Sequence, residues 1–308
     1  MYTPRVPILH AGELAALTTA VCWATSSLAF TRAGRRIGAL SLNLIRLIFA
    51  LVLTVALATL RRGQPLPLDA TPDQWLWLLL SGLVGFVFGD LCLFRAFVLL
   101  GSRLTLLMMA TAPPITALIG WLALGEGLTL VDIAGMSLTL AGIAWVITAQ
   151  PAAASPVGQD QPAMSRRTGI LLGLGGALGQ AGGLVLSKHG MGSYDAFAAT
   201  QIRVLAGIAG FAAIYTAVGW WPKFAAALRD RAALKLAAAG ATLGPFLGVS
   251  FSLVAVQNTT AGVAASIMAT TPILVIPLSA WLDREKIRWP DLAGAVLAIA
   301  GVALLFRD

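Results

Sequence analysis

Charged side chains are scarce in this sequence. They make up 11% of its 308 residues, where soluble domains carry about a quarter, and that deficit excludes an ordinary soluble fold. Cysteine is nearly absent: Cys22 and Cys92 both lie in apolar runs, which excludes a disulfide framework and a thiolate metal site. His10 and His189 stand far apart and offer no ligand cluster. No Walker-type glycine loop occurs, so ATP-driven chemistry has no support. Hydrolysis within a membrane would need paired carboxylates, a Ser–His arrangement or a metal cluster. None is legible, so the chain is not read as an enzyme, and neither cofactor nor metal is expected.

What is present is apolar. Hydrophobic residues make up 58% of the chain and mean hydropathy is +0.85. A helix crossing the hydrocarbon needs about 20 mostly apolar residues. Ten such runs occur, near 13–31, 39–60, 74–99, 103–123, 131–149, 169–189, 197–218, 233–256, 261–282 and 290–306. The first lacks a small-residue cleavage site and nine more follow, so it reads as a span rather than a signal peptide. The net charge of +8 is assigned to loop Lys and Arg that set topology and meet anionic headgroups. No basic stripe with interleaved aromatics suggests nucleic acid. The expected fold is an all-α polytopic membrane protein.

A stretch of the chain is written twice. Residues 109–144 begin MATAPPITALIGWLALGEG, and residues 268–303 begin MATTPILVIPLSAWLDREK. Twelve of these 36 positions are identical, where biased composition alone would give roughly three. Pro113 aligns with Pro272, Glu126 with Glu285, Asp132 with Asp291, Gly135 with Gly294 and Gly142 with Gly301 at the same offset of 159. That offset also aligns GFVFG at 85–89 with GPFLG at 244–248, and NLIR ending at Arg46 resembles TQIR ending at Arg203. Each half then holds five spans, an odd number, so the second half enters the membrane from the opposite side. The expected organisation is one five-helix repeat over 1–149, a Pro/Ala/Gln-rich linker over 150–168 and a second repeat over 169–308. Ten transmembrane helices as two inverted five-helix repeats place a central cavity near the midplane, at their interface.

The doubled pattern resembles the drug/metabolite transporter superfamily in its EamA-type form. The resemblance rests on the Pro-bearing fourth and ninth spans, on Glu126 and Glu285 that close them, and on the Gly-punctuated fifth and tenth spans. Within the superfamily the chain looks most like bacterial YddG-type amino-acid exporters. The resemblance implies a basket of ten helices around a cavity lined by spans three, four, eight and nine. It also implies a multi-pass protein of the bacterial inner membrane that exports aromatic and other bulky neutral amino acids. The small multidrug members carry an acid inside the first span for proton exchange; here that span has only Glu13, at its start.

Twelve of the thirteen acidic residues lie near span ends, in connections or at termini. Glu126, Glu285, Asp132 and Asp291 read as helix-end and capping residues. Asp90 alone sits well inside a span, where an ionised carboxylate costs about 2.5–3.5 kcal/mol on insertion scales. Phe86, Phe94 and Phe97 share its helical face. Arg95 lies roughly 140° around the same helix, too far round to pair with it. At the repeat offset Asp90 becomes Val249 and Arg95 becomes Val254, so these charges belong to one half only. Gly85, Gly89, Gly244 and Gly248 recur and read as close helix packing. Arg46 and Arg203 also recur, and two readings stand: snorkelling or carbonyl bonding, or attraction of an anion. Pro113, Pro114, Pro272 and Pro277 break backbone bonding inside spans four and nine, beside Thr111, Thr116, Thr270 and Thr271. Met108, Met109 and Met268 offer adaptable surfaces nearby.

The residues alone suggest a site for a small amphipathic solute. Asp90 meets an ammonium group, the phenylalanines meet an apolar side chain, and an arginine or broken helix end takes a carboxylate. Phe86, Phe94, Phe97, Asp90, Arg95, Thr111, Pro113, Met268 and Thr270 are the candidate binding residues. A facilitator is the expected mode, with proton-coupled antiport at Asp90 the alternative and a non-transporting receptor a further class. The expected partners are a small-molecule substrate and the lipid bilayer, and a monomer suffices. Five Lys/Arg fall on the side of the termini and thirteen on the other, which by the positive-inside rule puts both termini outside. The family resemblance implies both termini in the cytoplasm.

Overall fold

The computed structural model describes residues 10–149, 163–282 and 289–306. Glu285 and most of the expected linker lie outside them. All regular structure among the described residues is helical. In hydrocarbon each backbone N–H and C=O must find its partner within the chain, and a helix does this segment by segment.

The first half comprises α1 (Ala11–Ile37), α2 (Ala39–Arg62), α3 (Pro72–Gly82), a π-helical stretch at Leu83–Gly89, α4 (Asp90–Met109), α5 (Ala112–Leu124) and α6 (Leu130–Ala149). The second comprises α7 (Ala163–Met191), α8 (Ala196–Val218), the short α9 (Trp221–Ala227), α10 (Arg231–Ala241), a second π-helical stretch at Thr242–Gly248, α11 (Val249–Asn258), α12 (Ala261–Met268), α13 (Thr271–Leu282) and α14 (Trp289–Leu305). Among the described residues seven helical stretches are long and apolar enough to cross a membrane, and Ala112–Leu124, Ala261–Val275 and Trp289–Leu305 are shorter apolar helices. Val52, Leu60, Leu122, Trp145, Leu171 and Ile299 are exposed. Such a surface is a liability in water and an ordinary one against lipid.

Local chemistry explains several ends. Thr71 accepts from Gln74 N while the Gln74 side chain accepts from Thr71 N, and Pro72 comes next, so α3 begins with a full capping box. Gly38 alone joins α1 to α2 with φ +79°, a backbone conformation that costs a side chain-bearing residue far more. Three boundaries differ from the sequence reading. α7 starts inside the stretch read as linker, α9 was not anticipated, and α4 runs through the expected break between spans three and four. The second copy breaks cleanly because Thr260 accepts from Val263 N and starts α12; at the repeat offset the first copy has Gly101, which has no side chain to cap with. α4 nevertheless doubles back. Ala96 and Met108 both lie within 4 Å of where a Cβ on Gly173 would sit, whereas a straight helix would hold them about 18 Å apart.

The two π-helical stretches fall at the same repeat positions, 159 residues apart. Packing between the halves is also symmetric. On α6 and α14, an added Cβ on Gly142 would lie 2.6 Å from Gly294 O, and one on Gly301 would lie 2.7 Å from Gly135 O. Gly135 thus meets Gly301 and Gly142 meets Gly294, so each contact maps onto the other when the halves are exchanged. Small residues let the backbones approach where lipid supplies no hydrophobic drive. α7 packs on the third span by the same device: a Cβ on Gly179 would lie 2.6 Å from Gly89 Cα, and one on Gly183 would lie 2.9 Å from Gly85 Cα.

Candidate functional site

A cavity of about 370 Å³ opens between the halves. Its walls come from more helices than spans three, four, eight and nine. α1 contributes Trp23, Ser26, Ser27 and Phe30, α2 contributes Arg46, α7 contributes Gln180 and Leu184, and α8 contributes Arg203. The third span adds Gly85, Phe86, Asp90 and Leu93, and Pro113, Thr116, Pro245, Ser252, Met268 and Pro272 complete the belt. Glycine makes room for the aromatic wall. An added Cβ on Gly244 would meet the Phe30 ring at 2.9 Å, and one on Gly248 would meet the Trp23 ring at 2.7 Å.

Asp90 is the first residue after the π-helical stretch. A π turn re-aims the side chains beyond it and recurs at functional sites. The Asp90 carboxylate accepts a hydrogen bond from Arg46 Nη2 on α2 and forms an ion pair with it, both side chains being 16% exposed. The Arg46 guanidinium also lies over the Phe30 ring, 5.4 Å from its centroid. Arg203 is 6% exposed and lies over Phe86 at 5.1 Å. Its Nε has no hydrogen-bond partner among the described residues. The described lining thus holds one carboxylate and two guanidinium groups.

The structure brings some candidate residues together and sets others apart. Asp90, Phe86, Pro113 and Met268 line the cavity, with Arg46, Arg203, Gly85 and Gly244. Arg95 is exposed and is absent from the described lining, in keeping with its place on another face of α4. Thr111 and Thr270 are absent from the described lining too, and their hydroxyls donate to the Met108 and Ile267 carbonyls at 2.6 and 2.7 Å. Their neighbours Thr116 and Thr271 occupy the wall instead. The side chains of Phe94 and Phe97 lie outside the described residues. The partner of Asp90 is not its helix neighbour Arg95 but Arg46, 44 residues away on another helix. Trp23, Ser26, Ser27 and Gln180 went unrecognised. Gln180, the one amide in the glycine-rich sixth run, was the signal that could have been found.

A second polar cluster joins the two halves on the face that holds His10 and Phe306, whose rings lie 5.7 Å apart. Glu126 comes after α5 in the first half, yet its Oε2 accepts from Ala261 N of α12 in the second at 2.8 Å. It also forms an ion pair with Lys188, whose Nζ donates to Thr259 O at 2.5 Å. Glu126 therefore caps a helix of the other half rather than its own. Nearby, Gln257 donates to Gly192 O and Tyr194 O, and Asp69 joins Arg62 and the Tyr194 hydroxyl. Burial alone would push the Asp69 carboxyl up, but the Tyr194 hydroxyl and Arg62 outweigh it and hold it below its ordinary value. On the opposite face Arg36 pairs with Asp230 at 2.8 Å.

Comparison with known proteins fits this picture of two matched halves. A solved structure described only as "Crystal structure of protein" superposes with a TM-score of 0.76, covering 96% of this chain and 97% of that one at 16% identity. At that identity the likeness is one of fold. No curated protein matches. The EamA-like transporter family matches twice, over residues 10–148 and again over 167–307, and on that double match the chain belongs to the EamA-like transporter family.

Proposed function

We propose that this chain is a secondary transporter that exports small amphipathic metabolites, amino acids first among them, by alternating access as a facilitator. The observation that carries the reading is the cavity held between the two matched halves, with the Arg46–Asp90 pair and the buried Arg203 in its wall. Its volume falls near the lower end of the roughly 300–1,000 Å³ usual for small-molecule sites, which suits a solute of amino-acid size. Asp90, Phe86, Pro113 and Met268 are the proposed contacts of the solute.

The ten-span, inverted-repeat architecture belongs to this proposal, with repeats at 1–149 and 169–308. The symmetric glycine contacts of α6 and α14, the paired π-helical stretches and the reversal within α4 support it. Alternating access needs one end closed while the other is open. The Glu126–Lys188–Ala261 cluster joins the halves at the His10 face, while Phe30, Arg46 and Leu93 extend the cavity wall along the other half of their helices. The likeness to YddG-type exporters favours bulky neutral amino acids and the bacterial inner membrane.

Counterflow of labelled phenylalanine and leucine into liposomes carrying the purified protein tests the reading. Exchange above that of protein-free liposomes is expected, without a proton gradient. Uptake driven by a pH jump alone would replace the facilitator with proton-coupled antiport, and no exchange of any amino acid would end the proposal.

A further inference from the structure

We infer that Arg203 is the receptor for a carboxylate, and that the cavity therefore selects solutes carrying one, as zwitterions or as monoanions, over simple amines. This inference rests on the reading of the cavity as a solute site. It names the group of the solute that the site requires.

The argument begins with the repeat. Arg46 and Arg203 end matching NLIR and TQIR motifs, and both reach the same cavity. The first has its acid, Asp90. In the second half the position that corresponds to Asp90 is Val249, which also lines the cavity. Duplication has therefore left two guanidinium groups and one carboxylate in the described wall. Within that wall the Arg46–Asp90 pair is internally neutral, and Arg203 is the surplus charge.

Arg203 is also placed to be read by a ligand. Among the described residues its only partner is the Phe86 ring, and its Nε is buried without an acceptor. A buried cation left without a counter-charge is costly, and an arriving carboxylate removes that cost with two parallel hydrogen bonds that suit the guanidinium fork. Close packing holds the fork in place. A Cβ added to Gly82 would collide with Arg203 O, and one on Gly85 would lie 3.3 Å from its Nη2. The Phe86 ring beside it offers an apolar surface to the remainder of the solute. An ammonium group gains less, because the one carboxylate in the described wall is already paired with Arg46, whereas the Arg203 guanidinium has no counter-charge among the described residues.

The test uses the full-length protein in detergent and in liposomes with three probes of one shape: phenylalanine, 3-phenylpropionate, which lacks the amine, and phenethylamine, which lacks the carboxylate. In thermal unfolding, phenylalanine and 3-phenylpropionate are expected to raise the Tm while phenethylamine does not. The same two carboxylates are expected to compete in phenylalanine counterflow. Arg203→Gln is expected to raise the half-saturation concentration for phenylalanine at least about tenfold, the usual scale for loss of a charge-assisted hydrogen bond, and Arg203→Lys to recover part of it. Equal competition by phenethylamine in the unaltered protein overturns the inference, whether or not the variants fold. So does an Arg203→Gln protein, monodisperse by gel filtration, with unchanged half-saturation. A Tm shift produced equally by sodium chloride would mean an adventitious anion only, and would overturn it too. Carboxylate-dependent stabilisation without any counterflow supports the receptor and sinks the transport reading. Counterflow indifferent to the carboxylate sinks the receptor and leaves transport standing.

Discussion

The Arg46–Asp90 pair permits a quantitative test of how the cavity wall is held. Replacing Asp90 with Asn removes the counter-charge and leaves the Arg46 guanidinium in place, 16% exposed and over the Phe30 ring. Breaking a fully buried pair from one side costs about 3–5 kcal/mol. These side chains line a cavity that can hydrate them, so the lower end, about 3 kcal/mol, is the expected loss for Asp90→Asn. Arg46→Gln is expected to lose a similar amount, because it strands the carboxylate in turn. The double variant carries two neutral polar side chains and is expected to be no worse than either single variant. The coupling energy is then about 3 kcal/mol, at the upper end of the range for residues in direct contact. Unfolding of the four proteins in one detergent, followed by tryptophan fluorescence against denaturant, measures the cycle. Losses that add to within about 0.5 kcal/mol, as for independent sites, would refute the reasoning and remove the pair from the account of the site.

Three further outcomes rest on particular contacts. Glu126→Ala strips the acceptor from Ala261 N and the partner from Lys188; a loss of about 1–2 kcal/mol is expected on the capping scale, with a smaller loss for Glu126→Gln, read by the same unfolding assay. Gly142→Val places a Cβ 2.5 Å from Ala298 N, so α6 and α14 must separate and the folded yield should collapse, whereas Gly127→Ala, with nothing within 4 Å, should leave yield and Tm unchanged. Arg95→Gln changes an exposed side chain outside the described lining, and the half-saturation concentration for phenylalanine should stay within about twofold, the effect expected of a surface substitution of roughly 0.5 kcal/mol or less. A tenfold rise would return Arg95 to the site.

How much of the site was legible depended on how far each signal reached along the chain. The depth of Asp90 could be read because it needed only the surrounding apolar run, and the repeated glycines needed only the internal alignment. The rotation of Arg95 away from Asp90 came from helical period. Thr111 and Thr270 misled because all four threonines near the broken helices bond back to carbonyls, and only packing decides that Thr116 and Thr271 face the cavity. Glu126 looked like a local cap because its sequence neighbours are helix ends, yet it bonds across to α12. The stretch assigned to α4 turns back on itself between Ala96 and Met108, near the break read between spans three and four, with no capping side chain in the sequence to mark where.

The sequence by itself determined that this chain is helical, apolar and doubled. Those properties come from hydropathy, span length and internal identity, and each is a sum over many residues that no single contact can overturn. Only the tertiary structure decided which charges meet. Arg46 and Arg203 occupy equivalent places in the two copies, and nothing local distinguishes them. Among the described residues both lie over an aromatic ring but only Arg46 meets an acid, because the acid was placed in one copy alone and the helices had to pack before either arginine had a neighbour.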